Sequence, residues 1–206
     1  MAAAEQTLHE PLRPPAEEFT RSIGNDASRR VLRFVGVFRA AIAATMLVIA
    51  LGFPVFPILG TRDPALFLST SAVYCGFALL VLAWQWSRPV IMPRGALLEL
   101  AADILAVTLL MHASGGIQSG IGGLLVVFVG AASLTLRGRQ AFFAAAVAAL
   151  AVLAEQALSV LEQSSPSGEF LAAGVLGAII FMIASAAYPL ARRLEAQYPA
   201  TNRGVR

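Results

Sequence analysis

Charge is scarce in this sequence. Only 13% of its 206 residues are Asp, Glu, Lys or Arg, where a soluble domain carries about a quarter. So few charged side chains cannot cover a water-facing surface, so lipid must cover part of this one. Lysine is absent, and all 15 basic residues are arginine. They are scattered and do not line one face, which with a net charge of +3 gives no nucleic-acid partner. A single cysteine, Cys75, excludes an internal disulfide, and inside an apolar run it reads as a small packed residue. The two histidines, His9 and His112, make no cluster with metal spacing, and no phosphate-cradling loop is present, so no metal and no cofactor is expected. An intramembrane serine nucleophile would need a histidine on another helix, but Ser114 lies beside His112 on its own segment. His9–Glu10 precedes a proline in a stretch with no ATP-binding domain after it, so it is no phosphoacceptor box.

What fills the chain is apolar: 58% hydrophobic residues and a mean hydropathy of +0.74. A spanning helix needs about 20 mostly apolar residues. Six windows meet this approximately, at 31–53, 64–86, 96–113, 120–136, 141–161 and 169–191. Ser114–Gly115–Gly116 is a strong turn signal between the third and the fourth, which are the shortest. Asp63–Pro64 places a capping acid before a proline at the first helical position. Arg88–Pro89 and Pro93 end the second window, and residues 165–168 form a turn before the sixth. Trp84 and Trp86 fall where aromatic rings favour the membrane–water boundary.

The expected fold is therefore all-α, a polytopic membrane bundle of six transmembrane helices. Residues 1–28, with three prolines and five acids and no apolar core, read as a disordered cytoplasmic lead, not a secretory signal. Residues 29–195 form the bundle, and residues 196–206 a short cytoplasmic tail. With the N-terminus inside, every arginine except Arg39 and Arg62 falls on the cytoplasmic side, as arginine bias in loops requires. Both termini are then cytoplasmic, consistent with an even number of spans.

Helices in lipid pack through small faces, because hydrocarbon gives no hydrophobic drive between them. Ala144, Ala148 and Ala151 form one such stripe, ending at Glu155; Gly123 with Gly130, and Gly174 with Ala178, are further candidates. Ionisable groups inside a span are costly and need partners. Glu99 and Asp103 are four apart and share a helix face. Arg39 lies about 12 Å into the first window and Asp103 about 10 Å into the third, at 1.5 Å per residue. The matching depths predict an Arg39–Asp103 pair, with Glu99 solvated or bound to Arg94. His112, nine residues beyond Asp103, points to the opposite face and matches Glu155 in depth. A His112–Glu155 contact would respond to pH in the physiological range. Packing and register are the plainer role for the arginine pair, and a partly solvated boundary residue the plainer role for His112. Ser114, Gly115, Gly116, Gln118, Ser119 and Gly120 form a turn that is also a candidate sensing loop.

Residues 103–127 read DILAVTLLMHASGGIQSGIGGLLVV. This string, above all LLMHASGG with the following SG, resembles the membrane-sensor region of PilS-type two-component sensor histidine kinases. RDPALFL at 62–68, AEQALSVL at 154–161 and LARRLE at 190–195 support the resemblance, which covers residues 29–195. It implies a six-helix domain in the bacterial inner membrane that receives a signal, with the transmembrane segment of pilin as its ligand. The signal passes to cytoplasmic PAS and kinase domains, which phosphorylate a response regulator governing pilin transcription. The resemblance also implies a homodimer. After Leu194 this chain carries only residues 195–206, with no PAS domain, phosphoacceptor helix or ATPase, so autokinase activity is not carried over. The competing expectation is a small transporter or channel-like protein, with Arg39, Glu99 and Asp103 lining a path.

Overall fold

A computed structural model describes residues 15–52, 59–87, 93–136, 138–162 and 169–200. These residues form six α-helices and one 3-10 turn, with no strand among them. The helices are α1 (Pro15–Leu51), α2 (Pro64–Ser87), α3 (Pro93–Ala113), α4 (Gly123–Thr135), α5 (Gly138–Leu161) and α6 (Phe170–Ala200). The turn, Gly116–Ser119, sits between α3 and α4. Each expected window contains one helix. Residues 1–14 and 201–206, Arg88–Pro89 and the turn expected at 165–168 lie outside the described residues.

Local chemistry sets the helix ends. Pro64 opens α2, and the Asp63 carboxylate accepts the Leu66 N–H at 2.9 Å. That side chain satisfies one of the donors a helix start leaves open. Pro93 opens α3 in the same permitted position. Gly115, Gly116 and Gly120 bracket the 3-10 turn at φ of 90°, 82° and 73°, the left-handed region that side chains disfavour. The cap of this turn, Gly120, and the residues through Gly122 take the start of the fourth window, so α4 starts at Gly123.

The lead expected to be disordered through residue 28 is corrected from Pro15 onward, because α1 already runs from there. Pro15 suits a first helical position, and Glu17 and Glu18 lie in the first turn, where the helix dipole favours acids. Continuity with the apolar part of α1 also removes the cost of nucleating a separate helix. Likewise α6 continues to Ala200, into the expected tail.

Among the described residues, four segments are long and apolar enough to cross a membrane: Arg33–Leu51, Pro64–Ser87, Gly95–Ala113 and Arg139–Leu161. Gly123–Ser133 and Phe170–Ala186 are shorter apolar helical segments. Val73, Leu105, Leu150 and Leu171 stand 62–77% exposed on the outside of the bundle. Such residues pack outward only where hydrocarbon replaces water.

α3 is the hub. It packs on α2, α4 and α5, while α6 lies against α4 and α5, and α1 against α2. The main core contains Leu110, Met111, Leu125, Val152 and Ile180. A smaller cluster of Ala43, Tyr74, Cys75, Ala78 and Ala106 joins α1, α2 and α3. Ala144 and Ala148 are buried, as the alanine stripe required. Gly130 packs toward Ile183, but Gly123 faces open space. Gly174 and Ala178 are also turned outward; the packing face of α6 is one residue over, at Ala173, Gly177, Ile180 and Ala184. A Cβ on Gly177 would stand 3.4 Å from that of Ala149, so α5 and α6 approach closely there. The two sixth-helix stripes differ by about 100° of rotation, and small residues occupy both, so composition did not separate them.

Candidate functional site

Two polar clusters interrupt the apolar bundle, one on each side of α3. The first lies in its first half. Arg39 of α1 is 4% exposed and Asp103 of α3 is 1% exposed. The Arg39 Nη2 donates to Asp103 Oδ2 at 2.7 Å, and its Nη1 donates to Glu99 Oε2 at 2.9 Å. The expected Arg39–Asp103 pair is thus present. Glu99 joins the same guanidinium, a partner the sequence did not suggest for it, and keeps partial solvent access as expected; the Arg94 side chain lies outside the described residues. The reason is geometric: one helical turn separates the two acids, and the planar fork of arginine reaches both.

The second oxygen of Asp103 accepts a hydrogen bond from the Tyr74 hydroxyl of α2 at 2.9 Å. One aspartate therefore ties α1, α2 and α3 together. Gln85 Nε2 reaches Glu99 Oε2 at 3.5 Å, extending the network along α2. Arg39 Nε and Gln85 Oε1 are buried and have no partner among the described residues. In a low-dielectric interior these bonds are strong, but any member left unpaired is costly. The cluster holds three helices in one register, and a shift of any of them breaks a charged bond.

The second cluster lies on the opposite face of α3, at the other end of the bundle. His112 Nδ1 is 3.3 Å from Glu155 Oε1 on α5. The Ser159 hydroxyl donates to the same oxygen at 2.7 Å. Arg62, in the connection between α1 and α2, donates from Nη1 to Ser159 Oγ at 3.0 Å and from Nη2 to Glu162. His112 Nε2 stands 4.0 Å from Glu162 Oε2. No group of three or more His, Cys, Asp or Glu among the described residues is placed to hold a metal.

The glycine turn is tied down from the α1–α2 connection. Gly60 N–H donates to Ser114 Oγ at 3.0 Å, and Arg62 and Asp63 N–H both donate to the Ala113 carbonyl, at 3.0 and 3.1 Å. Ser119 Oγ donates to the Gly116 carbonyl at 2.7 Å. Ser114 and Gly116 are buried, Gly115 and Ser119 half-buried, and Gln118 and Gly120 exposed.

The sequence compares with known proteins at this same scale. The family model for the PilS-like transmembrane domain matches residues 22–199, nearly the whole described bundle. The chain belongs to the PilS-like transmembrane domain family. The Sensor protein kinase PilS of Pseudomonas aeruginosa is 30% identical over 173 residues, covering 84% of this chain and 32% of that protein. The chain thus spans about a third of the length of the curated relative it matches. No solved structure matches. This PilS-like domain is a multi-pass membrane protein, and its polar clusters lie within the matched region.

Of the residues singled out from sequence, Arg39, Glu99 and Asp103 converge, as do His112 and Glu155. Tyr74, Gln85, Arg62, Ser159 and Glu162 were missed. Tyr74 had a legible signal: it shares the inward face of α2 with Phe67, Ser71 and Ala78, and a buried hydroxyl seeks an acceptor. Arg62 had one too, as the only arginine at its end of the PilS-like bundle, beside a helix end carrying Glu162.

Proposed function

We propose that this chain is the signal-input module of a PilS-like two-component sensor in the bacterial inner membrane, with both termini in the cytoplasm. Family membership and the three-helix bridge at Asp103 support this reading. The bridge gives the bundle a preferred helix arrangement that a ligand can bias. The ligand is a transmembrane helix, the pilin segment implied by the family resemblance, and two copies of the domain act together as a homodimer. Binding against the small outward faces shifts the register of α1, α2 and α3. Through α3, α4 and α5 the shift reaches α6, whose far end leaves the bundle toward the cytoplasm. Arg39, Glu99 and Asp103 set the balance between arrangements, His112 and Glu155 brace the opposite end, and the turn from Ser114 to Gly120 is the contact nearest an external signal.

The transporter reading has no comparable support. Asp103 is 1% exposed and both its oxygens are engaged, so it does not line a path.

A pilin-promoter reporter in the native bacterium tests the proposal. Asp103→Asn should change output several-fold at unchanged protein level; unchanged output with the folded variant present would count against it. Co-purification with a pilin transmembrane segment, compared with an unrelated single-span protein, tests the ligand separately. No enrichment would remove pilin as the ligand.

A further inference from the structure

We propose that His112 is a proton-binding site whose loading clasps α3 to α5 at the end of the bundle opposite the termini. The observation is that both ring nitrogens face carboxylates: Nδ1 faces Glu155 at 3.3 Å and Nε2 faces Glu162 at 4.0 Å. A neutral imidazole has one N–H donor and one lone pair, so it can satisfy only one of the two acids. Its lone pair then points at the other. Only the imidazolium presents an N–H to both. The ring is a quarter exposed, so a proton can reach it from water.

The surroundings make the charge matter. Arg62 is the only described cation packed around His112, and it is committed to Ser159 and Glu162. Facing it are Glu155 on α5 and Glu162, the residue after α5; Asp63, in the same connection as Arg62, is held by the Leu66 N–H. Glu169, at the start of α6, keeps a buried oxygen with no partner among the described residues. The stretches 53–58 and 163–168 contain no ionisable side chain. One arginine thus stands with the two carboxylates that face the ring, and a proton on His112 supplies the second positive charge.

The mechanical consequence follows from what the cluster joins. His112 is next to Ala113, whose carbonyl receives the Arg62 and Asp63 amides. Ser114, two residues on, receives the Gly60 amide. Protonation draws Glu162 and the end of α5 onto α3 and, through Arg62, onto the α1–α2 connection. Loss of the proton leaves Glu162 to Arg62 and weakens the hold of α3 on the end of α5. The clasp is a property of the bundle itself and stands whether or not the domain signals.

Hydrogen exchange of the full chain in lipid nanodiscs tests it. The measurement is made at about pH 5.5 and about pH 8, which bracket the ordinary histidine range, with correction for the intrinsic pH dependence of amide exchange. Protection of residues 59–63 and 114–122 should be several-fold higher at the lower pH. His112→Gln should abolish the difference, and Glu162→Gln, at an exposed position, should at least halve it. His9→Gln should leave it intact. Equal corrected protection at both pH values in the folded wild type overturns the proposal. So does a full acid response in His112→Gln or Glu162→Gln.

Discussion

Replacing Asp103 tests the three-helix bridge most sharply. Asp103→Ala removes the acceptor of the Arg39 Nη2 and of the Tyr74 hydroxyl together. Arg39 keeps Glu99, but that acid is 26% exposed, so the remaining bond is partly screened by solvent. Breaking a buried pair by removing one partner typically costs about 3–5 kcal/mol, because the other charge stays buried. Neutral interhelical hydrogen bonds in membranes contribute far less, about 0.6 kcal/mol on average and at most about 1.7. The two descriptions therefore separate in a double-mutant cycle of Arg39→Met and Asp103→Leu. Each single variant should lose about 3 kcal/mol or more, while the double variant should recover most of that, since a well-packed apolar pair replaces a buried ion pair at little cost. Glu99 in the double variant still has Gln85 and partial solvent access. The assay is reversible SDS unfolding of the purified domain in mixed micelles, followed by circular dichroism. A coupling of about 4–5 kcal/mol is expected, because the double variant loses far less than the two single losses combined. Additive losses, or a coupling below about 0.6 kcal/mol, would refute the claim that one charged bridge organises α1, α2 and α3.

Three further outcomes follow from the same geometry. Tyr74→Phe, which leaves one Asp103 oxygen without its donor, should cost about 1 kcal/mol in the same unfolding assay, and an unchanged midpoint would mean the bond is not made. On α6, Gly177→Leu should separate α5 from α6 and cost about 1–3 kcal/mol. Gly174→Leu points into open space and should be nearly neutral; the reverse order of the two variants would restore the face first expected from sequence. Ser114→Ala removes the acceptor of the Gly60 amide and should cost about 1–2 kcal/mol, read as faster exchange in residues 59–63.

Much of this arrangement is legible from residue spacing. Helix windows follow from apolar length, and the Asp63–Pro64 start from capping chemistry. The Arg39–Asp103 contact follows from depth alone, because a buried charge must find an opposite charge at its own level. The opposite faces of Asp103 and His112 follow from nine residues at 100° each. Other features depend on tertiary neighbours. That Arg39 also reaches Glu99 depends on the span of one guanidinium across a helical turn. Gly174 and Gly177 both sit in small-residue patterns, and only the position of Ala149 on α5 selects Gly177. The early start of α1 at Pro15 was hidden because residues 15–28 have no apolar face of their own and borrow a helix already nucleated by the span that follows.

The central claim is an even-numbered membrane bundle, and α4 is its weakest point. Its 13 residues rise only about 20 Å against a hydrocarbon core of about 30 Å. Cysteine accessibility in intact cells tests this directly, on a Cys75→Ser background. Single cysteines are placed at Gln118, at Glu162 and in each terminal segment, and exposed to a membrane-impermeant maleimide. Labelling from outside is expected at Gln118 and Glu162, and labelling of both terminal positions only after the membrane is permeabilised. Gln118 and Glu162 on opposite sides, or the two termini on opposite sides, would contradict it.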